Sequence, residues 1–361
     1  MVRCRCVLTL AALAAGALLL CAAASARVAF TEDISPRVGL IEIYGAHKVS
    51  PQKIRTALGL VPGDPLPSRE SVEGRINKVP GVLAARVEAA CCEQTRMILY
   101  VGIEEKDAPH FDFNPIPTGD ITLAPGLSDK YREFLNAVAD SIRGQNADED
   151  LTNGYSLMAD PECRNIQTDF IPLVTRDLAL VNQVLRESSD PDQRSAAAYL
   201  IQYGPRAAHN SKFIVDALQY ALRDQDENVR QNAMRALRAI AVGGKLHPDQ
   251  QVHIEPTWFV ELLNSVVWSD RRGATLALVD LTDHRDPETL ALIRERALQS
   301  VIEMARWRDL RHALPAFILA GRLAGLDEKQ IQSAWLSGDR EGVLEQAVHP
   351  KKKRREPKKQ A

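Results

Sequence analysis

The feature that most constrains this chain is a repetition inside its second half. Residues 224–242 read DQDENVRQNAMRALRAIAV. An aspartate able to cap a helix precedes Val229, Ala233, Leu237 and Ile240, a spacing that lays one apolar stripe along a helix. The arrangement occurs earlier in DPDQRSAAAYLI: Asp190, Arg194, Ala197 and Ile201 map onto Asp226, Arg230, Ala233 and Leu237 by a constant shift of 36 residues. A fixed shift carrying a cap, a cation and two apolar positions predicts a helical repeat.

The Asp-x-x-x-Arg opening of the second helix resembles HEAT and related α-solenoid repeats. That resemblance implies a surface that holds a partner rather than a centre of chemistry. Helical periodicity runs from 167 to 349 with short breaks. It divides into helix pairs 170–187 with 191–203, 211–223 with 227–242, 256–267 with 270–281, 287–307 with 309–323, and 327–336 with 340–349. Only the first two pairs carry the full opening. The third keeps the spacing of Arg271, Ala274 and Leu278 without the aspartate, and the fourth places Pro315 where a helix should kink or break. A compact bundle is therefore the rival to a solenoid. Arg194 and Arg230 are expected to pair with Asp190 and Asp226, four residues earlier, and to tie neighbouring repeats together.

The first half reads differently. Residues 38–44 form a β-branched apolar strand ended by Gly45. Ser50-Pro51 opens a helix with Ile54, Ala57, Leu58 and Val61 on its apolar face. Ser68 caps a second helix carrying Val72, Ile76 and Val79 at i, i+4 and i+7. After the Pro80-Gly81 turn, alternation predicts two strands, with Leu83, Ala85, Val87 and Ala89 on one face of the first and Met97, Leu99, Val101 and Ile103 aligned on the other. The order is β-α-α-β-β. With Gly45, the GDPL turn at 63–66, the VPGV run at 79–82 and the closing Val101-Gly-Ile-Glu-Glu, residues 38–106 resemble a POTRA domain. The resemblance implies an interaction module of the bacterial envelope that adds a partner strand at a sheet edge. That edge maps to residues 82–89, with Val82, Ala84, Arg86 and Glu88 as the outward, partner-binding set. No series of alternating strands follows, which argues against a barrel.

Residues 107–127 hold four prolines and read as a linker in which Phe111 and Phe113 dock on a neighbour. The helical domain then spans 128–349. Within it, Asp148-x-Asp150-x-Thr152 hints at a calcium loop, but Asn153 and Ala159 stand where a glycine and a carboxylate are required, so a solvated loop is expected.

The two ends carry charge and address. Arg3 and Arg5 precede an apolar run, and Ala24 and Ala26 fit a cleavage site before Arg27, so 1–26 reads as a signal peptide and the protein as exported. Retention as a membrane anchor is the rival, and lipidation at Cys21 a weaker one. Net charge is −2 over 361 residues, yet the tail 350–361 carries seven basic residues against Glu356. Lys351, Lys352, Lys353, Arg354 and Arg355 lead this run, which reads as a disordered terminus attracted to anionic membrane surfaces or acidic polymers. After cleavage Cys91, Cys92 and Cys163 remain, and a disulfide from Cys163 to Cys91 or Cys92 stays open beside three free thiols.

Motifs for hydrolysis, phosphate binding or metal chelation are missing. His247 and His253 with Asp249 could form a second metal site, but they read as surface or capping residues. Trp268, Trp307 and Trp335 read as packing residues. No catalytic, cofactor or metal residue is therefore assigned. The fold expected is multidomain, a small α/β POTRA-like domain joined to a larger all-α HEAT-like helical-repeat domain. The function expected is a non-enzymatic scaffold or adaptor binding other envelope proteins, without specific nucleic acid. The alternatives are a membrane-anchored, division-type protein with an uncleaved leader, and an enzyme with a cryptic site in the helical body.

Overall fold

A computed structural model of the chain describes residues 36–93, 96–144, 146, 148–250 and 252–350. The leader 1–26 and Lys351, Lys352, Lys353, Arg354 and Arg355 lie outside the described residues.

Apolar alternation in the first half builds β1 (Val38–Tyr44), α1 (Pro51–Leu58), α2 (Arg69–Ile76), β2 (Val82–Glu93) and β3 (Arg96–Glu105), the β-α-α-β-β order that the spacing predicts. Val61, expected on the apolar face of α1, lies beyond the helix end and is 61% exposed. The sheet order is β1-β3-β2, with β1 parallel and β2 antiparallel to β3. On one face Ile41, Val87, Leu99 and Val101 close a core with Ile54, Leu58, Val72 and Ile76 of the two helices. On the other, Tyr44, Ala90, Ile98 and Tyr100 join the core of the helical body. The central strand is thus covered on both faces, which is why Ile98, Leu99, Tyr100 and Val101 are all buried in an unbroken run.

Residues 107–124 form a strap without helix or strand. It is docked along its length rather than spanning free solvent. The Phe111 ring meets Trp258 at 6.1 Å. The Asn114 N–H donates to the Arg223 carbonyl at 2.7 Å, the Gly119 N–H to the Glu187 carbonyl at 2.9 Å, and Gln193 Oε1 accepts from the Leu123 N–H at 2.9 Å. The strap therefore travels against the order of the repeats.

The helical body comprises α3 (Pro125–Arg143), the short hairpin β4 (Glu149–Asp150) and β5 (Leu157–Met158), then α4 (Pro161–Glu187), α5 (Pro191–Leu200), α6 (Ala208–Ala221), α7 (Glu227–Leu246), α8 (Thr257–Leu262), α9 (Trp268–Leu281), α10 (Pro287–Arg296), α11 (Leu298–Ala305), α12 (Leu310–Leu323), α13 (Glu328–Ser337) and α14 (Arg340–Val348). The second helices stack in one layer, α5 on α7, α7 on α9 and α9 on α12. The chain is a small α/β layer joined to a body of helical repeats.

The arginine ladder departs from the local pairing expected. Asp190 and Asp226 are occupied as N-caps of α5 and α7. Arg194 instead binds Asp224 at 2.8 and 2.9 Å, Arg230 binds Asp270 at 2.7 Å, and Arg271 binds Glu303 at 3.0 Å. Each guanidinium also donates to carbonyls of its own preceding turn: Ser188 for Arg194, Asp224 for Arg230 and Ser265 for Arg271. Every rung thus reaches forward into the next repeat, and the third pair belongs to the ladder despite lacking the aspartate.

Three further expectations are corrected. The helix through Pro315 is continuous, because Ala313, Ala316 and Phe317 beside it are fully buried and their packing outweighs a helix-interior proline's cost of about 3 kcal/mol. The helix expected over 287–307 divides at Ala297, whose φ of −138° and ψ of 9° lie outside the helical range. Cys163 is a free, buried thiol at the start of α4, while Cys91 is disulfide-bonded, so neither link to Cys163 is formed.

Candidate protein-binding groove

The strand edge proposed from sequence is β2, and β2 is indeed an outer strand of the sheet. Its residues are not displayed as alternation predicts. Val82 is 2% exposed, whereas Leu83 is 47% exposed. A register shift between Val82 and Ala84 reverses the alternation there, so the outward and inward assignments of Val82 and Leu83 exchange. The edge donors are also engaged: the Ala85 N–H donates to Asn77 Oδ1 at 2.7 Å and the Val87 N–H to Glu73 Oε1 at 2.8 Å. Backbone N–H groups alternate sides along a strand, so those of Ala84 and Arg86 point toward β3, and a proline at Ala84 would damage the ladder rather than the edge. Arg86 lies 3.6 Å from Glu73. The opposite edge is covered as well, since Gly63 donates to the Val38 carbonyl at 2.8 Å and Arg308 to the Ile41 carbonyl at 2.6 Å.

Glu88 has a different task. Its carboxylate accepts from the Trp268 N–H at 2.6 Å and the Ser269 N–H at 3.2 Å, at the start of α9. This is the helix whose own N-cap position holds Val267 and supplies no side-chain cap. The sheet therefore provides the cap that the third repeat lacks. Burial pushes the Glu88 carboxyl up, against the lowering effect of the bonds from Ser269 and Trp268.

Around this cap the sheet meets the helices through aromatic rings. Tyr100 stacks on Trp268 at 4.6 Å and tilts against Trp307 at 5.0 Å. Its hydroxyl lies 2.6 Å from His312 Nδ1. Burial pushes the Tyr100 phenol well above its ordinary value, so the hydroxyl keeps its proton. Burial lowers the His312 pKa, against the pull of Asp309, and so favours the neutral ring. Tyr44 donates to the Val266 carbonyl at 2.8 Å, Arg271 lies over its ring at 4.5 Å, and the Gly45 N–H donates to Glu303 at 3.0 Å. Trp268 and Trp307 thus pack between the two layers, while Trp335 packs within the helical body, its ring 5.1 Å from Phe317. His247, Asp249 and His253 are not gathered: among the described residues no group of three or more His, Cys, Asp or Glu side chains could hold a metal ion.

A groove of about 610 Å³ opens between α3, α5 and α7. Tyr131 and Leu135 of α3 form its apolar wall, and Ser195, Asn228, Gln231, Asn232 and Arg235 its polar floor. The Asn232 amide donates to the Ser195 carbonyl and hydroxyl, both at 3.0 Å, which fixes the floor where α5 meets α7. Arg235 is tethered to Glu149 of β4 at 3.4 Å. Leu135 remains 48% exposed on the wall. The sequence carried a signal for this surface: Asn228, Gln231, Asn232 and Arg235 recur at i, i+3, i+4 and i+7, one polar stripe beside the apolar stripe of α7. An apolar wall facing amides and a guanidinium can hold an extended polypeptide, burying side chains on one side and satisfying backbone groups on the other.

No family model and no curated relative matches the chain. Among solved structures it is similar to an engineered protein, at 19% identity over 53% of this chain and 91% of that one, with a TM-score of 0.34. It is similar also to a designed armadillo repeat protein, at 16% identity over 53% and 94%, TM-score 0.33, and to computationally designed armadillo repeat proteins for modular peptide recognition, at 14% over 53% and 94%, TM-score 0.34.

Proposed function

We propose that the chain is a non-enzymatic protein-binding scaffold of the bacterial cell envelope, and that its helical body receives an extended segment of a partner protein in the groove between α3, α5 and α7. The groove carries this reading, through its exposed Leu135 opposite the polar stripe of α7. The POTRA-like layer acts as a structural brace on the helices, because its edge donors are bonded within the chain and its Glu88 completes α9. Envelope location rests on the leader, with Arg3 and Arg5 before an apolar run and Ala24 and Ala26 at the cleavage position.

A photo-activatable side chain at position 135, compared with one at exposed Leu336 on α13, tests the groove in envelope extract of the producing cell. A partner peptide cross-linked from 135 and absent from 336 is the expected result. Equal or absent labelling at 135 overturns the groove. Mass measurement of the fractionated protein tests its location: a chain starting at Arg27 is expected, and full-length protein in the cytoplasm overturns export.

A further inference from the structure

Asn153-Gly154 is the only Asn-Gly step in the chain. It lies in the connection between β4 and β5, where the Gly154 N–H donates to the Leu151 carbonyl at 3.1 Å and closes a turn. Asn153 is exposed, and Gly154 takes a φ of +72° that a residue with a side chain rarely adopts. Gly154 also packs against α7, since a Cβ on Gly243 would run into its Cα.

The turn is held by a cation that lacks an acid. Arg206 donates to the Gly154 carbonyl and lies over the Tyr155 ring at 4.2 Å. Its Nε is closed to solvent without a hydrogen-bond partner, and among the described residues no carboxylate pairs with it. Arg194, Arg230 and Arg271, the buried cations of the ladder, each hold an acid. Burial pushes the Arg206 pKa below the ordinary arginine value, with the phenols of Tyr155 and Tyr203 opposing. The acids of the same hairpin are engaged elsewhere: Asp150 with Thr152 and Arg164, Glu149 with Ser156 and Arg235.

We propose that Asn153 is a site of spontaneous deamidation, and that Arg206 takes the carboxylate so formed as its counter-charge. The Gly154 nitrogen gives up its proton and attacks the side-chain carbonyl carbon of Asn153. The bond from that carbon to the side-chain nitrogen breaks, ammonia leaves with the proton, and a cyclic imide closes. Water then opens the imide at either carbonyl, leaving aspartate or isoaspartate; water is consumed, ammonia is released and nothing is oxidised. Glycine favours the attack because no side chain hinders its nitrogen. The bond to Leu151 opens first, a local event at an exposed hairpin tip. The product carries its negative charge one residue from the carbonyl that Arg206 holds, in surroundings where opposite charges attract more strongly than in water.

Peptide mapping of the folded chain during prolonged incubation at mildly alkaline pH tests the first half. Asn153 is expected to convert to aspartate and isoaspartate ahead of Asn210 and Asn264, each of which is followed by serine. No conversion at Asn153, conversion that trails Asn210 or Asn264, or conversion confined to urea overturns the site. The Asn153→Asp chain tests the second half. It should melt about 2 °C above wild type at low salt, with a gain that fades as salt is raised. Arg206→Lys should keep that gain and Arg206→Gln should remove it. An NMR titration of the new carboxyl reads the same pairing with Arg206 in place, and a pKa below the ordinary value of about 3.9 is expected. No gain from Asn153→Asp, a gain that survives Arg206→Gln, or an ordinary carboxyl pKa overturns the role of Arg206.

Discussion

Arg230 and Asp270 meet at 2.7 Å in a region closed to solvent, with 2% and 0% of their side chains exposed, although 40 residues separate them. Asp270 also accepts from Ser265 Oγ at 2.8 Å and from Gln231 at 3.2 Å, so its lone pairs are well occupied. Asp270→Ala should therefore leave a buried, unpaired guanidinium and cost about 3–5 kcal/mol. Replacing both partners, as Arg230→Met with Asp270→Leu, should recover much of that loss. Urea midpoints of the two variants check it: equal destabilisation would show that the pair is not the origin of the effect.

Glu88 caps α9 from outside the helical body. Glu88→Ala should lower stability by about 1–2 kcal/mol, the range of a lost N-cap, and Glu88→Gln should restore most of it because an amide oxygen can accept the same N–H groups. Thermal melts of both variants decide between a cap and a mere charge effect. In the latter case Glu88→Gln would behave like Glu88→Ala.

Gly102 sits where β3 touches the helical body, and a Cβ there would run into the Val266 carbonyl and the Tyr44 ring. Gly102→Ala should force the two layers apart. Loss of Trp268 and Trp307 packing, read by tryptophan fluorescence, should accompany a lower melting temperature. An unchanged emission spectrum would contradict the close approach.

His312 is packed by Tyr100, Trp268, Asp309, Arg272 and Arg311. Its pKa is lowered by burial, with Asp309 opposing and the two arginines adding to the effect. A depressed folded-state value means that the histidine's contribution is present above the unfolded value of 6.5 and is lost as pH falls through the folded one. Stability should therefore decline on acidification below 6.5, and His312→Gln should flatten that part of the profile. A profile identical to wild type would exclude His312 as the source.

Glu105 closes the sheet layer at the other end. Its Oε1 accepts from the N–H groups of His47, Lys48 and Val49 at 2.9, 2.7 and 2.7 Å. Burial raises its pKa, but these three bonds together outweigh it and hold the carboxyl below 4.5. Its stabilisation is present above that ordinary value and lost as pH falls through the depressed one. Glu105→Ala should cost about 1–3 kcal/mol by stranding buried donors. Hydrogen exchange at Lys48 and Val49 should rise with it, and unchanged protection there would refute the bond.

What the sequence by itself determined is local. Apolar stripes placed the helix pairs, prolines and aspartates opened them, and alternation drew the three strands in order, because these signals act within a few residues of one another. The shift of 36 residues exposed the repeat for the same reason. What tertiary structure alone decided are the partners. The opening aspartates were legible as caps, but an acid of the following repeat, not of the same helix, receives each arginine. Sequence spacing could not say that Glu88 would complete α9, that α2 side chains would engage the β2 edge, or that the strap would lie against the repeats in reverse. Gly273 lets α7 and α9 approach, because a Cβ there would run into Met234. Hydrogen bonds and charge pairs depend on distances of about 3 Å between residues far apart in the chain, and those distances exist only once the layers have packed.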